Sequence, residues 1–231
     1  MTYPAELTIT VHTPLLSAVP DRAVAGEDLT TVLDSHGLPY LPRTVLSARL
    51  RDAALTVLLA RPQDAETALQ LWGAAGSTLG SRVLRVGAAV ASTPVRRAVA
   101  AAVAARPGVA RAVALAATTP ITTTAIGADG APAQHTLRQV RAAAPPLVLH
   151  APLSWMQAPT DTQVAVLARC CLALTQIGRG ATRGAGRVSC TLDNDLPTTR
   201  TLATTDPTDP ADPTDPTDPA DPTALDAGVP R

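Results

Sequence analysis

The sequence predicts an α+β fold, a modified ferredoxin-like (RRM-like) sheet with helical insertions, on three observations. Leu7, Ile9 and Val11 alternate with Thr8, Thr10 and His12, the period of a half-buried strand. Leu46, Leu50, Ala54, Val57 and Leu58 form the apolar stripe of a helix. The remaining elements continue as strand, then strand, helix and strand, an order that covers one sheet face with helices and leaves the other open.

The elements follow in chain order. After the first strand a long polar loop is expected from Thr13 to about Pro42. The helix marked by Leu46 carries Arg43, Arg49 and Arg51 near its start. A short helix is expected over Ala65–Trp72 and a strand over Val83–Val90. Two Ala-rich helices flank Pro107, whose ring removes an amide donor. Residues 120–150 read as a hairpin: Thr122–Ile126, a turn at Gly127–Gly130, and a return ending in the strand Leu147–Pro152. The last helix is expected from about Thr160 to Gln176, and Arg187–Leu192 closes as a strand.

Of 231 residues, 46% are hydrophobic, enough to build a core, and 2% are aromatic, with no Phe. The net charge of zero is a sum of two unlike parts. Residues 1–192, the expected folded domain, hold 17 Arg against 10 acids; residues 193–231 hold 9 Asp against Arg200 and Arg231. A body of +7 thus carries a tail of −7. From Asp206 to Thr223 the tail is six triplets of Asp-Pro-Thr or Asp-Pro-Ala. Proline at every third position excludes helix and sheet and favours an extended polyproline chain, so 193–231 is expected to be disordered. Two uses are open: a solubilising tail, or an intramolecular competitor for whatever polyanion the basic body binds.

Other classes are excluded. No apolar run reaches the ~20 residues of a membrane helix, and the Ala-rich stretch Ala98–Ala117 is broken by Arg106, Pro107 and Arg111. MTYPAEL lacks the basic flank and apolar segment of a secretory signal, so a cytoplasmic protein is expected. Cys170, Cys171 and Cys190 form neither a disulfide framework nor zinc spacing, and read as reduced structural thiols. The four His read as surface residues. Trp72 and Trp155 read as packing residues, and with Tyr3 and Tyr40 as the only other aromatics, serial base stacking is not expected. No tightly bound cofactor is indicated.

The segment IGRGATRGAGRV, Ile177–Val188, carries the most chemistry. Gly178, Gly180, Gly184 and Gly186 are interleaved with Arg179, Arg183 and Arg187. Glycine permits positive φ and close approach of another backbone, and arginine offers forked donors that match phosphate. Such a loop can grip a ribose-phosphate backbone without reading bases. The plain alternative is a flexible connection with solvated arginines. No Gly-Lys-Ser/Thr follows, so a nucleotide P-loop is not supported.

The segment GEDLTTVLDSHGLPYLPRTVLSARLR, Gly26–Arg51, resembles the RAMP superfamily of CRISPR effector proteins. The resemblance lies in an Asp-bearing loop, then Asp34, Gly37, Pro39, Tyr40, Leu41 and Pro42, then a basic helix with Leu46, Leu50 and Arg51. The Gly-rich segment 178–186 is similar to the superfamily's C-terminal glycine-rich loop. Leu71-Trp72-Gly73 with Gly80 resembles its link to the second strand, and the hairpin around Thr124-Ala125-Ile126 and Gly130 its thumb-like insertion. The pattern departs from the superfamily at Pro42–Ala48, where Ser47 stands for a guide-contacting Lys and Ala48 for a Gly. It departs again at Ser17-Ala18-Val19, where a Gly pair is usual.

Within the superfamily the pattern resembles the backbone subunit of type III complexes. That resemblance implies a guide-RNA-binding protein present in several copies, meeting other RAMP-type subunits, a large subunit and target RNA. It implies Arg43, Arg49, Arg51, Gly178, Arg179, Gly180, Arg183, Gly184 and Arg187 as RNA contacts. The family subunit cuts target RNA through a loop Asp six residues before the Asp of its D-x-x-G-x-P stretch; Asp28 stands six before Asp34. Asp28 would then place a divalent ion such as Mg²⁺ or position a ribose 2′-hydroxyl. Asp34 is expected to shape the turn before Gly37. Two other readings stay open: a non-catalytic structural or capping subunit, and a stand-alone guide-RNA-processing ribonuclease.

Overall fold

The computed structural model describes residues 3–19, 27–73, 82–124, 131, 137–180 and 183–205. The alternating segment near the start forms β1 (Glu6–Val11), whose Leu7, Ile9 and Val11 are fully buried. Two short strands follow, β2 (Ala18–Val19) and β3 (Leu29–Thr31). Helix α1 (Arg43–Ala60) turns Leu46, Leu50, Ala53, Ala54 and Val57 inward. A 3₁₀ turn at Pro62–Asp64 leads into α2 (Ala65–Trp72), with Leu71 and Trp72 buried. Then come β4 (Leu84–Val86), α3 (Thr93–Ala105), α4 (Val109–Ala116), β5 (Thr118–Thr123), β6 (Arg138–Ala143) and β7 (Leu147–Trp155). Helix α5 (Asp161–Ala173) starts on a capping box, in which Thr160 and Gln163 each accept from the other's amide. Strand β8 (Val188–Leu192) and helix α6 (Leu196–Thr204) complete the order.

The fold is α+β with two sheets. The first has the order β4-β7-β1-β8, every neighbour antiparallel. Its strands are joined as β-α-β-β-α-β, with α1 and α2 in the first crossover and α5 in the second. Helices α1 and α5 pack side by side, and Leu46, Leu50 and Leu167 join Leu7, Ile9 and Leu149 in one core. On the opposite face Thr10 pairs with Val148 and Ser189, and Glu6 meets His150 at 2.6 Å. That face is polar and partly open, as the strand alternation predicts.

The second sheet, β2-β3-β6-β5, corrects two expectations. The segment expected as a loop up to Pro42 contributes β2 and β3, and β3 runs parallel to β6. Strands of two and three residues carry no readable period; Ser17 and Thr31 tie them through their hydroxyls at 3.2 Å. The expected hairpin pairs β5 with β6, so its return leg is not the strand at Leu147. Its turn, 125–130, lies outside the described residues. The strand expected over Val83–Val90 is limited to Leu84–Val86. Beyond it Gly87 bonds Pro152, and Ala89 and Val90 make single bridges to Leu41 and His150.

The expected tail boundary at residue 193 also moves. Asp193 and Asn194 turn with φ of 48° and 59°, and the Asp193 carboxylate accepts the amides of Ala5 and Glu6. Asp195 caps α6 through the Thr198 amide and hydroxyl, which hold its carboxyl below the ordinary value. These two acids shape a turn and a cap, so 193–205 belongs to the folded domain. The Asp-Pro triplets, 206–223, lie outside the described residues.

All three cysteines are free and buried. Burial pushes the Cys170 thiol up to about 12, and the Cys190 partner together with burial raises Cys171. Trp155 donates to the Pro4 carbonyl at 2.8 Å, a packing role as expected. No helix among the described residues is long and apolar enough to cross a membrane.

Candidate nucleic-acid interface

Helix α1 carries the first candidate residues because its buried stripe leaves Arg43, Arg49 and Arg51 on the exposed side. The structure divides these three. Arg43 and Arg51, with Thr44 and Ser47, line a cleft of about 450 Å³ between α1, the end of α2 and β4. Across it stand Arg82 and Arg85, two residues that motif reading missed. Leu84, Val86 and Trp72 also line it, and among the described residues no Asp or Glu does. Arg51 is held by a bond to the Trp72 carbonyl at 3.0 Å, while the Trp72 indole faces the Cys170 thiol. Among the described residues Arg43, Arg82 and Arg85 have no ion-pair partner. Residues 74–81, which connect Trp72 to Arg82, lie outside the described residues and carry no charge in the sequence.

Arg49 lies on the other flank of α1, paired with Asp52 at 3.0 Å. It lines a smaller cavity of about 210 Å³ with Gln176 and Gly178. So Arg49 meets the start of the glycine-rich loop, whereas Arg43 and Arg51 do not.

That loop is closed by a backbone pairing. Ile177 donates to Gly186 and Val188 to Thr175, each at 2.9 Å. It is also docked on the segment after β1: Arg179 donates to Leu16, Gly186 to Pro14, and Arg187 to the Thr13 hydroxyl. All four glycines have positive φ, but only two are crowded. A Cβ at Gly178 would stand 2.6 Å from the Leu16 oxygen, and one at Gly186 1.9 Å from the Ile177 oxygen. The close approach read from the sequence is therefore made by the chain's own backbone. At Gly184 a Cβ would meet open space. Arg179, Arg183 and Arg187 project from this docked loop as exposed side chains without ion-pair partners among the described residues.

Asp28 stands elsewhere, at the entry to β3 in the second sheet. Its amide donates to the Gln139 carbonyl and its Oδ2 accepts the Gln139 amide, both at 2.9 Å. The residue thereby extends the β3–β6 pairing by one rung while remaining exposed. Glu27 beside it is buried against the Arg141 guanidinium, which also reaches Thr118. Asp34 shapes the next turn, its Oδ1 accepting the amides of His36 and Leu38 at 2.8 and 3.0 Å. Gly37 closes that turn at φ 86° with α4 packed on it; a Cβ there would lie 2.2 Å from the Ala110 oxygen. Among the described residues no three His, Cys, Asp or Glu side chains come together as a metal-ligand set.

No protein-family model and no curated protein matches the chain. Solved structures do. The chain is similar to a chain of the cryo-EM structure of the type III-B Cmr-beta bound to cognate target RNA. The TM-score is 0.61 at 10% identity, over 87% of this chain and 99% of that one. A chain of the type III-B Cmr-beta apo-state cryo-EM structure gives a TM-score of 0.62 at 10% identity, over 84% and 98%. At such identity the likeness is one of fold, and it extends over nearly the whole of each of those chains.

Proposed function

We propose that this chain is a RAMP-superfamily, guide-RNA-binding backbone subunit of a CRISPR type III-like effector complex that acts in antiviral defence. The β-α-β-β-α-β sheet is then a modified ferredoxin-like fold, and β5–β6 is the base of a thumb-like insertion. The fold shared with Cmr-beta chains supports the reading. The observation that carries it is the acid-free cleft holding Arg43, Arg51, Arg82 and Arg85, with Arg179, Arg183 and Arg187 on the docked loop. Guanidinium groups without ion pairs, set along a surface, suit successive phosphates, and the scarcity of exposed aromatics suits backbone contact rather than base reading. The partners are guide RNA, target RNA, further copies, other RAMP-type subunits and a large subunit, and the compartment is the cytoplasm.

Single-stranded RNA binding to the purified chain tests this. Replacing Arg43, Arg82 and Arg85 with Ala removes three phosphate contacts, which lowers the salt slope by about 2 and the affinity by about 100-fold near 0.1 M salt. Oligouridine and a mixed-sequence RNA are expected to bind alike. A triple variant that binds as tightly as the parent ends the proposal.

Target cleavage rests on Asp28. The described residues do not fit a resident divalent ion there, since Oδ2 is taken by Gln139 and Glu27 by Arg141. What remains is Oδ1, which could accept the proton of a ribose 2′-hydroxyl as its oxygen attacks the adjacent phosphate, the bond from phosphorus to the 5′-oxygen breaking and that oxygen taking a proton from water. Asp28→Asn separates the roles, because it keeps an oxygen for the Gln139 amide and loses the base. The clamp held by Gln139 favours the non-catalytic subunit. On that reading Asp28→Asn leaves stability and complex activity unchanged, and Asp28→Ala lowers stability by about 1 kcal/mol. A loss of target cleavage of 100-fold or more in Asp28→Asn, with melting unchanged, establishes the nuclease instead.

A further inference from the structure

We propose that the Asp-Pro-Thr segment of this same chain, 206–223, docks in the four-arginine cleft when no RNA is present. The cleft and the segment complement each other in charge. Arg43, Arg51, Arg82 and Arg85 line the cleft with no acid among the described residues, and six Asp recur at every third position from Asp206 to Asp221. In a polyproline helix, which has three residues per turn, carboxylates at this spacing would fall on one edge, about 9 Å apart. The result is a linear polyanion with the same sign and edge-on presentation as a phosphate backbone.

The place where the segment leaves the domain suits this docking. Arg169 holds the Thr205 carbonyl at 2.7 Å and the Asp64 carboxylate at 2.9 Å. Asp64 immediately precedes α2, whose eight residues end at Trp72, which lines the cleft. Helix α2 is about 12 Å long, so with the Arg169 guanidinium interposed between Thr205 and Asp64 the exit lies within roughly 20 Å of the cleft. A Pro-rich chain covers about 3 Å per residue, so fewer than half of the triplets suffice to reach it. Tethering supplies the segment at an effective concentration of about 1 mM, and an intrinsic affinity of ~0.1 mM would weaken a competitor by about tenfold.

The test is made on the full chain without RNA. A nitroxide at Thr214→Cys labels selectively, because the three native cysteines are buried. At about 50 mM salt the amide signals of Leu84, Arg85 and Val86 are expected to broaden, and the effect is expected to vanish at about 0.5 M salt. It vanishes also in Arg43→Ala/Arg82→Ala/Arg85→Ala, which leaves the Arg51–Trp72 bond in place. It persists in Arg96→Ala/Arg97→Ala/Arg106→Ala, which removes equal charge from α3 and its end. Absence of broadening at low salt, or equal broadening in the two triple variants, overturns the proposal.

That docking hinders RNA rests on the function proposed above and is measured separately. Changing the six Asp to Asn is expected to raise oligouridine affinity about tenfold in the parent and not in the cleft variant. An equal rise in both reduces the effect to bulk charge and overturns the competition. RNA that fails to bind in any background removes the function proposed above, while the nitroxide measurement still decides the docking.

Discussion

Replacing Gly186 with Ala will lower the melting temperature by roughly 4–20 °C, whereas Gly184→Ala will lower it by only a few degrees. Both glycines have positive φ, 70° and 80°, so each alanine meets the left-handed penalty of about 1–2 kcal/mol. The difference is in what stands behind them. At Gly186 the new Cβ would lie 1.9 Å from the Ile177 carbonyl oxygen, and the Leu15 side chain stands next to it. Neither neighbour can retreat. Ile177 is fixed by its amide bond to Gly186, and Leu15 is buried beneath the loop at 2% exposure. Relief requires opening the pairing that closes the loop, an overpacking cost of about 1–3 kcal/mol added to the backbone term. At Gly184, apart from its chain neighbours, none of the described residues lies within 4 Å of the new Cβ. Thermal melting of the two variants side by side checks this, and equal losses would show that the loop is not docked as described. Because Arg179, Arg183 and Arg187 depend on that docking for their positions, Gly186→Ala should also weaken RNA binding although no charge is lost.

The contrast between these glycines shows how far the sequence can be read. Motif reading found the loop, its arginines and the need for positive φ, since those follow from residue type alone. It could not tell which glycines face the chain's own carbonyls, because Leu16 and Ile177 reach them through the fold. The first strand and α1 were legible for a similar reason: each has a full period of apolar positions within one window. The second sheet was legible only in its β5–β6 hairpin. Its strands are two to six residues long and are held by pairings such as Leu29 with Val140, remote in the chain. Asp28 illustrates the same limit, since the amide that occupies its carboxylate is 111 residues away. Arg82 and Arg85 did leave a trace in the sequence. Residues 67–128 contain six Arg and no acid, and the cleft draws half of its charge from that stretch.

Arg169→Met will cost about 3–5 kcal/mol, a melting decrease of roughly 6–20 °C. Arg169 is buried to 8% exposure within α5 and spends its guanidinium on three acceptors. Nη1 meets Asp64 at 2.9 Å, Nε the Ala203 carbonyl at 2.8 Å and Nη2 the Thr205 carbonyl at 2.7 Å. Methionine fills similar space but leaves Asp64, 5% exposed, with Arg61 at 3.4 Å as its remaining ion-pair partner. It also strips the last carbonyls of α6 of their donor. Arg169→Lys keeps the charge but offers a point rather than a fork, so it should recover only part of the loss. Arg169→Met with Asp64→Leu removes the stranded charge as well, and should be more stable than Arg169→Met alone. A double variant no better than the single would mean that the carbonyl bonds to α6, rather than the buried carboxylate, dominate. Hydrogen exchange separates these terms, because release of the α6 end accelerates exchange in 199–204 while a buried Asp64 left with Arg61 alone destabilises the whole domain together. Release at Thr205 has a further consequence, since that carbonyl fixes where the acidic segment leaves the domain. A variant that frees the exit loosens the tether beside α2 and should weaken the salt-dependent docking of 206–223 without touching any residue of the arginine cleft.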